Sequence, residues 1–423
     1  MYQHCEHTAD FPQASGFERS LMTCRPLAAG AYPVGLSVTW ANDGQAFLVA
    51  SHQAPLDTAR AAAESYARIA ATLAGHHLEI VHERMFCSLS VERTVMAERS
   101  RALLAHGVLS TTPVTCIQGQ PTWGEGLAGV IIQAVPAGQV RTLTDGGLPC
   151  GRAWRSNGAE YLVLQNITGA GDGPRENRAL QVHRMLDLAE RLLREQGGSY
   201  RDVVRTWFYL SDILAWYPEF NTARNEQYAE FGIMPGPGAG NLLLPASTGI
   251  RGDTGSGAAA TMDLLAVIGG PASRPAVTQL TNRGQLDAFR YGAAFSRGAL
   301  IRGPAASVFQ LSGTAAIDEW GTSLFVGDIR GQITCTLDKV EALMAQAGLG
   351  LEDIVAATVF VKHAEHAGVF QEMAIERNLV DLPVVCIVAD ICRDELLFEI
   401  DAEAVTTHRS TLLPRSKKCK NVV

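Results

Sequence analysis

The sequence predicts an α+β chain made of three consecutive units that share one plan, β-β-α-β-α-β-β. Three observations carry this. An amphipathic helical stretch runs through a turn into a β-type stretch three times, over residues 61–89, 179–212 and 331–363. In each, apolar positions recur at helical spacing and then switch to the short period of a strand, with Val81–Phe86, Val204–Tyr209 and Val355–Phe360 as equivalent steps. A hairpin-like pair opens every unit, and an extended pair closes it.

Taken in order, the first hairpin spans residues 35–55 and turns at Asn42-Asp43-Gly44; the second spans 150–169 and turns at Ser156-Asn157-Gly158. The third, 298–318, turns at Gly303-Pro304. A second helix and the closing pair fall within 113–135, 241–269 and 382–405, the last opened by Pro383. The domain reading is therefore an N-terminal extension over 1–30, unit 1 over 31–137, unit 2 over 150–269, unit 3 over 287–406 and a basic tail over 407–423, with 136–149 and 269–287 as connectors.

Composition limits the function. With 423 residues the chain has room for two to four domains, and 47% hydrophobic against 18% charged residues describes a globular protein. A formal net charge of −8 argues against a general nucleic-acid binder and leaves room for a local cationic pocket. No apolar run is long enough to span a membrane, and the first 25 residues lack the pattern of a signal peptide, so a cytoplasmic location is expected. Nine scattered cysteines without C-x-x-C predict neither a disulfide framework nor a zinc ribbon, and most are expected to be small buried hydrophobes. His363 with His366, and the group His76, His77 and His82, lack metal-ligand spacing; no metal and no cofactor are expected.

Leu311–Asp318, Gly327–Lys362 and Phe398–Val405 resemble the RidA/YjgF superfamily, whose simple members form trimers with ligand sites between subunits. Three such units in one chain imply an internal pseudo-trimer, a monomer in solution, and a working site at the seam between units 2 and 3. Imine-hydrolysing members carry an Arg after the Pro that opens the penultimate strand. Here Val384 and Val385 follow Pro383, and Ser247 is read at that place in unit 2, so an imine deaminase is disfavoured.

Asp390–Ile400 is similar to a stretch of the chorismatases, built from units of the same kind. Arg205–Ser211, Pro245–Ile250, Tyr291-Gly292 and Phe295-Ser296-Arg297 agree, so the likeness covers roughly residues 150–406. It implies chorismate as the substrate and Glu399 as the acid that protonates the enol ether. From the residues alone, strand alternation favours Glu399 facing solvent beside Asp401, and it is the resemblance that reverses this. Chorismate is a dianion, and Arg forks suit its carboxylates. Arg224 and Arg297 are the first choices, followed by Arg205, with Lys362 as a point charge and Tyr291 and Tyr209 as hydroxyls, Tyr209 reading more readily as packing. For each cation a surface salt bridge is the alternative.

Two further positions bear on the product. Chorismatases that release a dihydrodiol carry Ala where this chain has Gly313 and Cys392, and those that continue to 3-hydroxybenzoate carry Gly and Cys. The resemblance thus implies a chorismatase giving 3-hydroxybenzoate and pyruvate. The alternatives are release of a dihydrodiol or 4-hydroxybenzoate, and a non-catalytic small-molecule binding protein of the same superfamily. Strand alternation would turn Arg393 away from the site if Cys392 faces it.

Overall fold

The computed structural model describes residues 34–41, 43–52, 55–109, 111–156, 158–169, 177–234, 244–269, 276–281, 292–304 and 306–407. Unit 1 runs β1 (Val34–Trp40), β2 (Ala46–His52), α1 (Thr58–Gly75), β3 (Leu78–Cys87), α2 (Glu92–Ala105), β4 (Thr115–Gln118) and β5 (Leu127–Pro136). Unit 2 runs β6 (Val140–Asp145), β7 (Leu148–Ser156), β8 (Ala159–Thr168), α3 (Arg178–Glu195), β9 (Val203–Leu210), α4 (Ile213–Glu230), β10 (Ala246–Arg251) and β11 (Ala260–Ile268). Unit 3 runs β12 (Ala276–Leu280), β13 (Gly298–Arg302), β14 (Ala306–Ala315), α5 (Ile329–Gln346), β15 (Ile354–Val361), α6 (His366–Glu376), β16 (Val384–Val388) and β17 (Phe398–Thr407).

The α+β plan of tandem units holds, with one correction. The stretches read as connectors each carry a strand: β6 pairs with β7, and β12 with β13, so the second and third sheets have six strands and the first has five. These edge strands have one neighbour and little apolar periodicity, which hid them. The expected N-terminal extension and basic tail lie outside the described residues. No described helix is long and apolar enough to cross a membrane.

The same local device starts the first helix of each unit. Asp57, Asn177 and Asp328 stand at the N-cap and accept from the backbone N–H three residues on, at 3.0, 3.1 and 3.0 Å. Each helix then buries one stripe on its own sheet, as with Tyr66, Ile69 and Leu73 in α1 or Ile333, Leu337 and Val340 in α5. Gly44 and Gly158 take positive φ, 84° and 82°, at the first two hairpin turns.

The other face of each sheet meets the other two units. β5, β11 and β17 share an Ala-Val step at Ala134-Val135, Ala266-Val267 and Ala404-Val405, and three residues before it stand Ile131, Asp263 and Asp401. Asp401 accepts from Arg205 at 3.0 Å and from Thr248 at 2.8 Å across the seam of units 3 and 2. Asp263 meets His82 at 2.9 Å and Thr115 at 2.6 Å across the seam of units 2 and 1. At the third seam Ile131 packs in one apolar cluster with Ala356 and Val385. The pairing registers make these sets equivalent, so a threefold arrangement is kept while its three seams differ in chemistry. The same register equates Val385 with Thr248, which corrects the placing of Ser247 by one residue.

Candidate active site

Two residues before the Asp401 position the three units carry Glu399, Thr261 and Gly129, so a carboxyl occurs at this place in one seam alone. Along β17 the side chains alternate as expected: Phe398, Ile400, Ala402 and Ala404 pack on the helices of unit 3. Glu399, Asp401 and Glu403 take the opposite face. That face is the buried seam, which is why Glu399 is only 5% exposed.

Glu399 opens into a cavity of about 580 Å³ between units 2 and 3. Helix α4 supplies Tyr217, Asn221, Arg224 and Asn225, β10 supplies Ser247 and Gly249, and unit 3 adds Arg297, Gly313, Cys392 and Glu395. Arg224 is buried. Its guanidinium lies 5.2 Å from the Phe220 ring centre and 6.0 Å from that of Phe295, and its Nη2 donates to Asn221 Oδ1 at 2.7 Å. Its Nε finds no hydrogen-bond acceptor and the guanidinium no carboxylate within ion-pair reach among the described residues. A buried cation without a counter-charge is costly, and an anionic ligand would relieve it. Arg297, also buried, lies 5.2 Å from the Phe295 ring centre.

Burial pushes the Glu399 carboxyl up to about 8, and the charge of Asp401 adds to this, while Arg297 and Arg205 pull the other way. Most molecules therefore carry Glu399 protonated at pH 7. Burial also pushes the Cys392 thiol up to about 12, with Glu399 contributing, so Cys392 stands in the cavity wall as a thiol. Gly313 gives Glu399 its room: a Cβ there would lie 2.1 Å from Glu399 Oε1. Its N–H donates at 3.1 Å to Thr248 Oγ1, the hydroxyl that bonds Asp401, which ties the acid's surroundings to both units.

The sequence-predicted residues thus separate. Glu399, Cys392, Arg224, Arg297 and Gly313 converge on the cavity. The reading of Arg205, Tyr209 and Lys362 as substrate contacts is corrected, because none of them lines it. Arg205 is consumed by Asp401 and Thr248 and stacks 4.6 Å from the Trp207 ring centre; burial pulls its pKa down to about 10. Tyr209 is packed in the apolar centre shared by the three units. Lys362 pairs with Asp394. Tyr291 lies outside the described residues.

Arg393 corrects another expectation. It lines the cavity beside Cys392 because residues 392–395 form bends and a turn, where strand alternation does not apply; it donates to Gly321 O at 2.7 Å. Tyr217 and Asn221 were missed, yet Leu214, Tyr217, Asn221 and Arg224 follow one helical stripe, so choosing Arg224 already marked its neighbours. The cysteine expectation needs adjusting as well. The six described cysteines are free thiols, with Cys87 and Cys116 buried and the other four half-buried.

Residues 287–406 match the family model described as Endoribonuclease L-PSP. Among solved structures, the chain is similar to a chorismatase at 21% identity over 77% of this chain and 93% of that one, with a TM-score of 0.58. It is also similar to a hypothetical protein from Giardia lamblia, at 23% identity over 30% of this chain and 98% of that one, TM-score 0.26. A Rid-family protein of unknown function from Yersinia pestis matches at 18% identity over 30% of this chain and 98% of that one, TM-score 0.26. The likeness to the chorismatase is one of fold.

Proposed function

We propose that the chain is a chorismatase that converts chorismate to pyruvate and 3-hydroxybenzoate. The observation that carries the reading is a buried carboxyl, Glu399, which burial holds toward its neutral form, sharing a cavity with two buried arginines, one of them lacking a counter-charge among the described residues. Arg224 and Arg297 hold the two substrate carboxylates. Glu399 gives its proton to the enol methylene carbon, a step that leaves an oxocarbenium ion on the substrate and a carboxylate on the enzyme. Arg297 and Arg205 favour that carboxylate. Water adds to the cation, and the hemiketal collapses to pyruvate and a ring diol; loss of water from the diol gives the aromatic acid.

The cavity has room to retain the diol, and Gly313 and Cys392 border it. Changing both to Ala is expected to leave pyruvate release in place while shifting the second product toward the dihydrodiol. The methyl that Gly313→Ala adds forces the Glu399 carboxyl to turn, and Cys392→Ala removes the thiol from the wall. Chromatography of the products checks this, and an unchanged ratio removes the two positions as selectors. The reading itself is tested by incubating the purified chain with chorismate and identifying the ring product. It requires 3-hydroxybenzoate in amounts equal to pyruvate.

A further inference from the structure

The charge of Arg224 is held in place without being cancelled. Its guanidinium sits among four aromatic rings, 5.8 Å from the ring centre of Phe208, 5.2 Å from that of Phe220, 5.9 Å from Tyr228 and 6.0 Å from Phe295. Ring faces attract a cation but set its direction only loosely. Direction comes from Asn221, one turn earlier on α4, whose Oδ1 accepts from Arg224 Nη2 at 2.7 Å. A guanidinium can only donate, so the amide has to turn its oxygen toward it. Both side chains line the Glu399 cavity.

Elsewhere in the molecule a carboxylate stands where Asn221 stands. Arg205 meets Asp401 at 3.0 Å, Arg99 meets Glu83 at 2.7 Å and Arg251 meets Asp390 at 2.8 Å, so each of these charges is neutralised within the protein. Asn221 has the size and shape of an aspartate and carries no charge. An aspartate at 221 would complete the same kind of pair with Arg224. It would also set a negative group in the wall that has to receive an anion, where like charges repel.

We propose that Asn221 is a positioning residue: it aims Arg224 at an anionic ligand through a neutral acceptor, and its lack of charge leaves the arginine able to bind that ligand. Insofar as the ligand is chorismate, this rests on the function proposed above, so a second anion is measured beside it. In steady-state kinetics on chorismate, Asn221→Asp is expected to raise KM by about ten- to a hundredfold, the worth of one hydrogen-bonded contact to a charged group, while kcat falls by a smaller factor. Calorimetry with benzene-1,3-dicarboxylate, a one-ring dianion with no enol ether to break, reads binding without turnover and should show a similar loss. Asn221→Leu removes the bond but adds no charge, and it should weaken binding of both anions less than Asn221→Asp does. The unfolding midpoint of Asn221→Asp should match or exceed that of wild type, because the new carboxylate pairs with Arg224. A midpoint that falls together with kcat would mark a structural role and overturn the proposal. Wild-type KM and dianion affinity in Asn221→Asp, Asn221→Leu as damaging as Asn221→Asp, or a wild-type chain that binds neither anion would overturn it too. A wild-type chain that binds the dicarboxylate and leaves chorismate intact would sink the chorismate reading instead, and weaker dicarboxylate binding by Asn221→Asp would then still uphold the role of Asn221.

Discussion

Glu399→Gln is expected to lower turnover of chorismate by about 100- to 10,000-fold, the range in which a positioned general acid acts. Gln fills the same space and keeps hydrogen-bonding capacity, so the cavity and the arginines stay in place. The wild-type rate should fall as pH rises through about 8, where burial and Asp401 allow the acid to ionise, and the residual rate of the variant should lack that limb. The substitution moves stability the opposite way. The folded-state pKa of about 8 lies above the ordinary value of 4.5, so wild type loses stability as pH rises from 4.5 to 8, and the whole penalty is present above that. Glu399→Gln carries no such penalty and should gain on wild type by on the order of 4 kcal/mol at pH 9, with little difference at pH 4. Melting curves at the two pH values check this, and a near-normal rate would show that the acid is elsewhere.

Arg99→Met is expected to cost about 3–5 kcal/mol, a large share of the roughly 5–15 kcal/mol that holds a typical protein folded. Arg99 on α2 meets Glu83 on β3 at 2.7 Å, and both side chains are nearly sealed from water. Tyr66 of α1 donates to the same carboxylate at 2.9 Å. Removing Arg99 leaves a buried charge, so the loss is larger than the worth of the pair. Glu83→Gln combined with Arg99→Met should recover most of the stability, since the amide keeps the Tyr66 bond and carries no charge. The unfolding midpoint in urea measures both variants. A single-variant loss below about 1 kcal/mol would mean that water reaches Glu83.

The pair also shows what unit 1 does for the site. β3 carries Glu83 on its helix-facing side and His82 and Arg84 toward the centre, where His82 meets Asp263 and Arg84 lies 4.7 Å from the Trp207 ring centre. Trp207 is stacked on its other contact by Arg205, the partner of Asp401. Unit 1 thus supports the strands of the active seam, and none of its described residues lines the Glu399 cavity.

The repeat was legible because each helix writes a 3.6 period beside a strand's shorter one, and the three N-caps repeat with it. The seam was harder to read. Strands buried on both faces lose the polar alternation that marks an exposed side, so Glu399 and Asp401 looked as much like a solvent edge as a buried one. Arg205 and Lys362 looked like ligand cations because a sequence shows charges and not the carboxylates that consume them, Asp401 and Asp394. Arg224 differs in having no such partner among the described residues, a fact of packing.

The central claim is that this chain breaks the enol ether of chorismate with its own neutral carboxyl. Pyruvate release from chorismate by the purified full chain, followed continuously through a coupled lactate dehydrogenase assay from pH 6 to 10, tests it most directly. Release is expected without any added metal or cofactor, with a rate that declines through an apparent pKa near 8. Pyruvate formation no faster than in the enzyme-free control across that range would contradict it.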